Sequence, residues 1–282
     1  MKILIVRHGE PDYSIDSLTP KGWREAELLS QRLIQNPADA YYVSPLGRAQ
    51  DTAKPTLEKL GAQATVLPWL HEFSAKVINP RTGESMIPWN LSPQYWTKQS
   101  ELYDKDAWVN NGLFRTGDVE EIYRETVKGM DELLETWGYV RDGAIYRCEK
   151  NTDATIVLFC HFALGMVILS HMLSVSPSVM WQGFFMPTSS VTTLITEERI
   201  QGQVFFGCHH LCRHWLLYVP GLLFFHRRTE SEPSKFSGRP YPCDGYSGGI
   251  AEKQGHCCSL HSWPAAGHSD ECQRCAGHLY VF

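Results

Sequence analysis

Short apolar runs that alternate with amphipathic segments constrain the fold of this chain more than any other feature. The runs are ILIV (3–6), AYYVS (40–44), ATVLP (64–68) and ATIVLFC (154–160). Helical spacing of apolar residues separates them, and after the first run Thr19 can cap a helix that begins at Pro20. This alternation predicts an α/β fold, specifically a three-layer α/β/α sandwich whose central sheet is mostly parallel.

We predict that this domain spans residues 1–207. Its last two strands are expected at SSVTTLIT (189–196) and QVFFG (203–207). Residues 73–117 form an irregular, aromatic-rich insert that is long for a simple connection. Insertions of this length in α/β enzymes are often lids or substrate-binding subdomains. The aromatic side chains of the insert therefore fit either ordinary core packing or a cap over a substrate.

The composition changes abruptly after Gly207. Seven of the nine cysteines and eight of the twelve histidines lie in residues 208–282, a Cys/His-rich stretch with no sustained helical or strand period. Cys272 and Cys275 have the spacing of one half of a zinc knuckle. Three interpretations of this tail stay open: a zinc-binding module, a disordered or lineage-specific extension, and a sequence read in a shifted frame. The missing periodicity favours the third.

Charge and hydropathy narrow the classes of partner. The net charge of −5 gives no general reason to expect nucleic acid or an anionic membrane as partner. The longest apolar runs are too short to span a bilayer. The start also lacks the pattern of a signal peptide, since only four apolar residues separate Lys2 from Arg7. We therefore expect a cytoplasmic protein.

Charged and titratable side chains follow each predicted parallel strand. The chain places Arg7 and His8 after the first strand, Arg48 after the second, His71 and Glu72 after the third, and Cys160 and His161 at the end of the fourth. The carboxyl ends of parallel strands meet at one edge of a sheet, where open α/β folds bind their ligands. We therefore expect these side chains to share one cleft.

This set of side chains has the chemistry of a phosphate site. Arginine binds phosphoryl oxygens bidentately and stays charged at all accessible pH values. A neutral imidazole is a competent nucleophile that can carry a covalent intermediate. A partly buried carboxyl group such as Glu72 could protonate a leaving oxygen and later activate water. Cys160, by contrast, is expected to be a small buried residue and not a nucleophile, and His171 is expected either to pack or to bond the backbone.

The motifs RHGE, SPLGRAQDTA, LHEF and LFCHFALG occur in this order, and the chain resembles the histidine phosphatase superfamily (phosphoglycerate mutase-like, branch 1) over about residues 1–207. The resemblance implies an α/β/α sandwich that uses neither a metal nor a nucleotide cofactor. It implies His8 as the phosphorylated nucleophile and Glu72 as the proton donor. It also implies Arg7, Arg48 and His161 as phosphate-binding residues.

Three positions depart from the pattern of the family. Pro11 and Ser14 stand where members often carry Thr and Asn, and Phe162 follows the second histidine where Gly is usual. These changes affect the fine geometry of phosphate binding and not the class of reaction.

The function expected from the sequence is hydrolysis of a small phosphomonoester through a phosphohistidine. One alternative is a phosphoglycerate-type mutase, although the segments that hold a three-carbon substrate in such mutases find no counterpart here. The other is a non-catalytic protein that binds a phosphorylated ligand and carries a zinc-binding tail.

Overall fold

The computed structural model describes residues 1–213 of the chain, with side chains for residues 1–209. The predicted tail therefore lies, beyond residue 213, outside the described residues. The strands are β1 (Lys2–Arg7), β2 (Pro11–Asp12), β3 (Ser17–Leu18), β4 (Ala40–Val43), β5 (Thr65–Val66), β6 (Val77–Ile78), β7 (Ser85–Met86), β8 (Tyr139–Asp142), β9 (Ile145–Cys148), β10 (Thr155–Cys160), β11 (Val191–Ile200) and β12 (Gln203–Arg213).

The helices of the described part are α1 (Pro20–Leu33), α2 (Gly47–Leu60), α3 (Pro93–Trp96), α4 (Val119–Thr136), α5 (Phe162–Leu173) and α6 (Pro177–Gly183). Single turns of 3-10 helix lie at Pro68–Leu70, Ser100–Tyr103, Trp108–Asn110 and Phe114–Thr116. None of the helices within residues 1–213 is both long and apolar enough to cross a membrane.

Eight strands of the described part form one sheet in the order β5-β4-β10-β1-β11-β12-β9-β8. The first four run parallel to one another, with Ile3 opposite Ile156 and Arg7 opposite Cys160 in the central pair. All four correspond to the apolar runs of the sequence. The parallel core of the predicted sheet is confirmed, and it is this half that carries the candidate site residues.

The other half of the sheet is antiparallel. Strands β11 and β12 pair as expected, and β12 continues beyond Gly207 to Arg213. The β8–β9 hairpin completes the edge and was not found by sequence reasoning. Its strands have only four residues each and both contain an arginine, so no apolar run marks them. Gly143, with a φ of 59°, supplies the left-handed turn between them.

The sheet is covered by helices on both faces, which confirms the three-layer sandwich. Ile3 and Ile5 of β1 point into one core, which contains α5. Val6 points into the other core, which contains residues of α1 and α2 such as Leu29 and Ala49. Helix α5 is apolar on all sides and nearly all of its residues are buried. Strand β1 thus lies inside the sheet of the described part, between its two cores.

Aromatic side chains of the insert pack onto the core. Trp108 and Phe114 are almost fully buried, and both contact Trp181 of α6 edge-to-face, at centroid distances of 5.6 and 6.4 Å. Trp89 also stacks near Trp181, at 6.1 Å. These contacts agree with the interpretation that the aromatic side chains of the insert pack into the core.

The turn after β1 lies directly against the first turn of α1, which begins at Pro20 with Thr19 as its cap, as predicted. A Cβ atom built on Gly22 would lie 2.2 Å from the carbonyl oxygen of Glu10. One built on Gly9 would lie 2.9 Å from the carbonyl oxygen of Gly22. The two glycines therefore allow a backbone contact that a side chain at either position would prevent.

We expect Gly22→Ala to lower the free energy of unfolding by about 1–3 kcal/mol, the usual cost of overpacking. The matched control is Gly183→Ala, since Gly183 is also helical but a Cβ there would meet nothing within 4 Å. Alanine stabilises a helix more than glycine does. The free energy of unfolding of the control should therefore stay the same or rise by up to about 1 kcal/mol. Urea unfolding of both variants checks this, and equal effects would contradict the close approach.

Candidate active site

The ends of β1 and β10 bring two predicted histidines together. The His8 amide donates a hydrogen bond to the Cys160 carbonyl, 3.0 Å away, and His161 follows Cys160 directly. The ring centroids of His8 and His161 lie 5.2 Å apart. Both side chains are almost completely buried. The adjacent strand ends therefore place two imidazoles side by side, as the sequence predicts.

The tautomer of His8 follows from its hydrogen bond. Its Nδ1 lies 2.7 Å from the carbonyl oxygen of Gly9. A carbonyl oxygen only accepts, so Nδ1 carries the proton and Nε2 keeps its lone pair. The Gly9 amide in turn donates to Thr52 Oγ1 over 2.8 Å, which fixes the turn against α2.

The charge state of His8 is set by its surroundings. Burial lowers the pKa of His8 to about 3, the hydrogen bond to Gly9 opposes this shift, and the positive charges of Arg7 and Arg48 add to it. The imidazole is therefore neutral at neutral pH, which is the state in which a histidine can act as a nucleophile.

His161 is also neutral. Burial holds its pKa well below the ordinary value, and His8 and Arg48 act in the same direction. Its Nε2 lies 2.7 Å from Ser44 Oγ, and its buried Nδ1 has no hydrogen-bond partner within the described residues. Sequence reasoning missed Ser44. Its position directly after β4, at the end of a parallel strand, would have been enough to predict it as a site residue.

Arg7 reaches the same region from the end of β1. One of its terminal nitrogens, Nη1, donates to the Met186 carbonyl over 2.5 Å. Its buried Nε has no partner in the described part of the chain. Burial lowers the pKa of Arg7, while Glu72 and Tyr13 act to raise it. The guanidinium nevertheless stays charged at neutral pH, and its Nε–H is available to donate a hydrogen bond to a ligand.

Arg48 lies in the first turn of α2, where the helix dipole disfavours a cation. Asp16, which sequence reasoning missed, offsets this: its carboxylate accepts from Arg48 Nη1 over 2.5 Å and from the Gly47 amide over 2.7 Å. Burial acts to raise the pKa of Asp16, but these hydrogen bonds outweigh it and keep the pKa below its ordinary value. Arg48 Nε is buried and has no partner among residues 1–209.

Glu72 lies beside the start of α5. Its Oε1 accepts hydrogen bonds from the amides of Phe73, at 2.9 Å, and Leu164, at 3.1 Å. Burial raises the pKa of Glu72, against the opposing effect of these two amides and of the arginines. A raised pKa makes the protonated form of the carboxyl group easier to populate, as a general acid requires. The neighbouring His71 instead bonds the Glu72 carbonyl through Nδ1.

Glu72 belongs to the same group as the histidines and arginines. The charges of Arg7 and Arg48 act on both Glu72 and His8. His161 is affected by the charges of His8 and of both arginines. The five residues to which the resemblance assigns a role, Arg7, His8, Arg48, Glu72 and His161, therefore form one electrostatically linked group.

Cys160 and His171, which the sequence placed outside the candidate site, have other surroundings in the structure. Cys160 is fully buried, and burial raises the pKa of its thiol, so it stays protonated at neutral pH. His171 points away and its Nε2 lies 2.8 Å from Asp131 Oδ1. No group of three or more metal-ligating side chains occurs within the described residues.

Comparison with known proteins gives a family and named relatives. A model of the histidine phosphatase superfamily (branch 1) matches residues 3–205. The chain is 32% identical over 108 residues to a probable phosphoglycerate mutase GpmB of Yersinia enterocolitica, covering 35% of this chain and 49% of that protein. It is 28% identical over 144 residues to a protein of the same name in Yersinia pestis, covering 48% and 64%. The chain thus spans between about half and two thirds of these relatives.

Solved structures share the fold. A mycobacterial glucosyl-3-phosphoglycerate phosphatase matches with a TM-score of 0.50 and 18% identity, over 75% of this chain and 98% of that one. A protein described as mycobacterial hydrolase 1 matches with a TM-score of 0.50 and 18% identity, over 73% and 96%. The family match covers most of the described sequence, and these structures agree with it in fold. The chain therefore belongs to the histidine phosphatase superfamily, branch 1.

Proposed function

We propose that this chain is a phosphatase that hydrolyses a small phosphomonoester through a phosphohistidine on His8, with Glu72 as the proton donor. One observation carries the proposal: the Nδ1 of His8 lies 2.7 Å from the Gly9 carbonyl oxygen and so carries the ring proton, which leaves Nε2 unprotonated in a ring that the positive charges of Arg7 and Arg48 reach. A free imidazole lone pair next to cationic donors suits attack on an anionic phosphoryl group.

Three buried polar atoms support a phosphate-binding role for Arg7, Arg48 and His161. The Nε of each arginine and the Nδ1 of His161 have no partner within the described residues. Buried donors are rarely left unsatisfied, and phosphoryl oxygens would accept from all three if Ser44 donates to His161 Nε2 and leaves the proton on Nδ1. The arginines supply the charge and the histidine a neutral donor.

In the first step, Nε2 of His8 forms a bond to phosphorus while the bond from phosphorus to the ester oxygen breaks. Protonated Glu72 gives its proton to the leaving oxygen, so the alcohol departs neutral. The Nδ1 proton of His8 stays on the ring, and its hydrogen bond to Gly9 stabilises the positive charge that the ring acquires. Arg7 and Arg48 stabilise the charge on the equatorial oxygens.

In the second step, water attacks the phosphorus of the phosphohistidine. Ionised Glu72 accepts a proton from that water, the P–N bond breaks, and its electron pair returns to Nε2. Inorganic phosphate leaves, His8 is again neutral and Glu72 is again protonated. The carboxyl group thus alternates between acid and base, which its raised pKa suits.

A phosphoglycerate-type mutase is the second candidate, favoured by the names of the curated relatives. It would share the first step but return the phosphoryl group to a hydroxyl of the substrate instead of to water. Product analysis after incubation with 3-phosphoglycerate separates the two: free phosphate supports the phosphatase, and an isomeric phosphoglycerate supports the mutase.

We expect His8→Ala to lower the rate of 4-nitrophenyl phosphate hydrolysis about a thousandfold or more, because the nucleophile is lost. His171→Gln is the matched control, since His171 contacts Asp131 instead of the site, and it should retain activity. Radiolabelled substrate should leave acid-labile phosphate on the wild type and on His171→Gln, and none on His8→Ala. Equal rates in wild type and His8→Ala would refute the covalent mechanism, and loss of activity in EDTA would indicate a metal.

We expect Glu72→Gln to lower kcat/KM for an alkyl phosphate by about a hundredfold or more, the usual size of general acid catalysis. For 4-nitrophenyl phosphate, whose leaving group needs no proton, kcat/KM should fall much less. Because the acid must be protonated, kcat/KM for the alkyl ester should also decline as the pH rises through the raised pKa of Glu72. Equal losses for both substrates would exclude Glu72 as the acid.

We expect acid to destabilise the protein partly through His8. In the unfolded chain a histidine takes up a proton below about pH 6.5, whereas His8 in the fold does so only near its pKa of about 3. Stability is therefore highest above about pH 6.5 and falls as the pH drops towards 3.

Urea unfolding at pH 7 and pH 5 measures this contribution. His8→Asn removes the titrating group while His161 stays in both proteins. Between pH 7 and pH 5, the free energy of unfolding of the wild type should fall by about 2 kcal/mol more than that of the variant. The same loss in both proteins would mean that His8 is not held neutral by the fold.

A further inference from the structure

Exposed apolar side chains cluster beside the candidate site. Eight large apolar side chains are exposed in the described part of the chain, and four of them lie on two short segments, 13–15 and 184–185. Tyr13 is 71% exposed and Phe185 is 70% exposed. Apolar surface that is concentrated in one place on a soluble domain marks a binding surface more often than scattered single residues do.

Both segments are tied to the phosphate-binding arginines. Asp16, directly after the first segment, accepts a hydrogen bond from Arg48. Met186, directly after the second segment, accepts from Arg7 through its carbonyl oxygen. The chain therefore holds each apolar segment next to one of the two guanidinium groups.

The aromatic rings also contact the guanidinium groups themselves. The Arg7 Cζ lies 5.4 Å from the centre of the Phe162 ring, and Phe162 in turn lies 6.4 Å from the ring of Phe185. The Arg48 Cζ lies 5.4 Å from the centre of the Tyr13 ring. These are cation–π distances. Each of the two arginines is thus flanked by aromatic side chains, and we call these three rings, Tyr13, Phe162 and Phe185, the aromatic rim.

We propose that the aromatic rim binds the organic part of the substrate, and that this part is apolar or aromatic close to the ester oxygen. The inference rests on the proposed phosphatase function. A phosphoryl group held by Arg7 and Arg48 would direct its ester oxygen towards solvent, between the rings that stack on those arginines. Aromatic faces bind an apolar group by removing both surfaces from water.

Two primary alkyl phosphates test this, 2-phenylethyl phosphate and ethyl phosphate. Their leaving groups are chemically alike, so a difference in kcat/KM reports recognition of the phenyl ring. We expect the wild type to prefer the phenylethyl ester by about tenfold or more, which is the size expected for burying such a ring. Phe162→Ala, Phe185→Ala and Tyr13→Ala should each reduce that ratio at least about threefold.

The ratio is internal to each protein, so loss of correctly folded material in a variant cancels. Ile200→Ala is the matched control, because Ile200 is an exposed apolar residue far along β11 and should leave the ratio unchanged. A wild-type ratio near one, or a preference that survives all three rim substitutions, overturns the inference while the phosphatase function stands. Failure of the wild type to hydrolyse either ester would overturn the phosphatase function and this inference with it.

Discussion

The hydrogen bond from His8 Nδ1 to the Gly9 carbonyl is the interaction on which the rest of the site depends. It exists because β1 is paired on both sides and its end is fixed by the bond from the His8 amide to Cys160. The Gly9 amide is held in turn by Thr52 of α2. With the turn fixed at both ends, the imidazole keeps one tautomer, and only Nε2 is left for chemistry. A rigid central strand therefore holds the buried imidazole in one orientation, which the proposed nucleophilic role of His8 requires.

One buried environment sets the charge states of all the candidate groups. Burial disfavours ionisation, so it lowers the pKa of His8 and raises the pKa of Glu72. Arginine keeps its charge even when its pKa is lowered, and Asp16 supplies a counter-charge for Arg48. The result is a neutral imidazole, a carboxyl group with a raised pKa and two fixed cations, and this combination supports the proposed binding of an anionic phosphoryl group.

The residues of this site that directly follow an apolar strand could be predicted from the sequence. Arg7 and His8 follow an apolar run directly, and strand-end geometry is enough to bring them beside His161. Asp16 and Thr52 could not be predicted in the same way, because each is a single polar residue whose partner lies more than thirty positions away. The β8–β9 hairpin was missed for a related reason, since its short strands owe their stability to tertiary pairing more than to their own pattern.

The fold keeps His8 neutral with the proton on Nδ1, through burial and the hydrogen bond to Gly9. Nitrogen-15 NMR of histidine-labelled protein, with the His8 signals assigned by comparison with His8→Asn, measures this directly. We predict a protonated Nδ1 and an unprotonated Nε2, with no change between pH 7.5 and pH 4.5. A His8 signal that titrates near the ordinary histidine pKa, or one that shows the proton on Nε2, would contradict it.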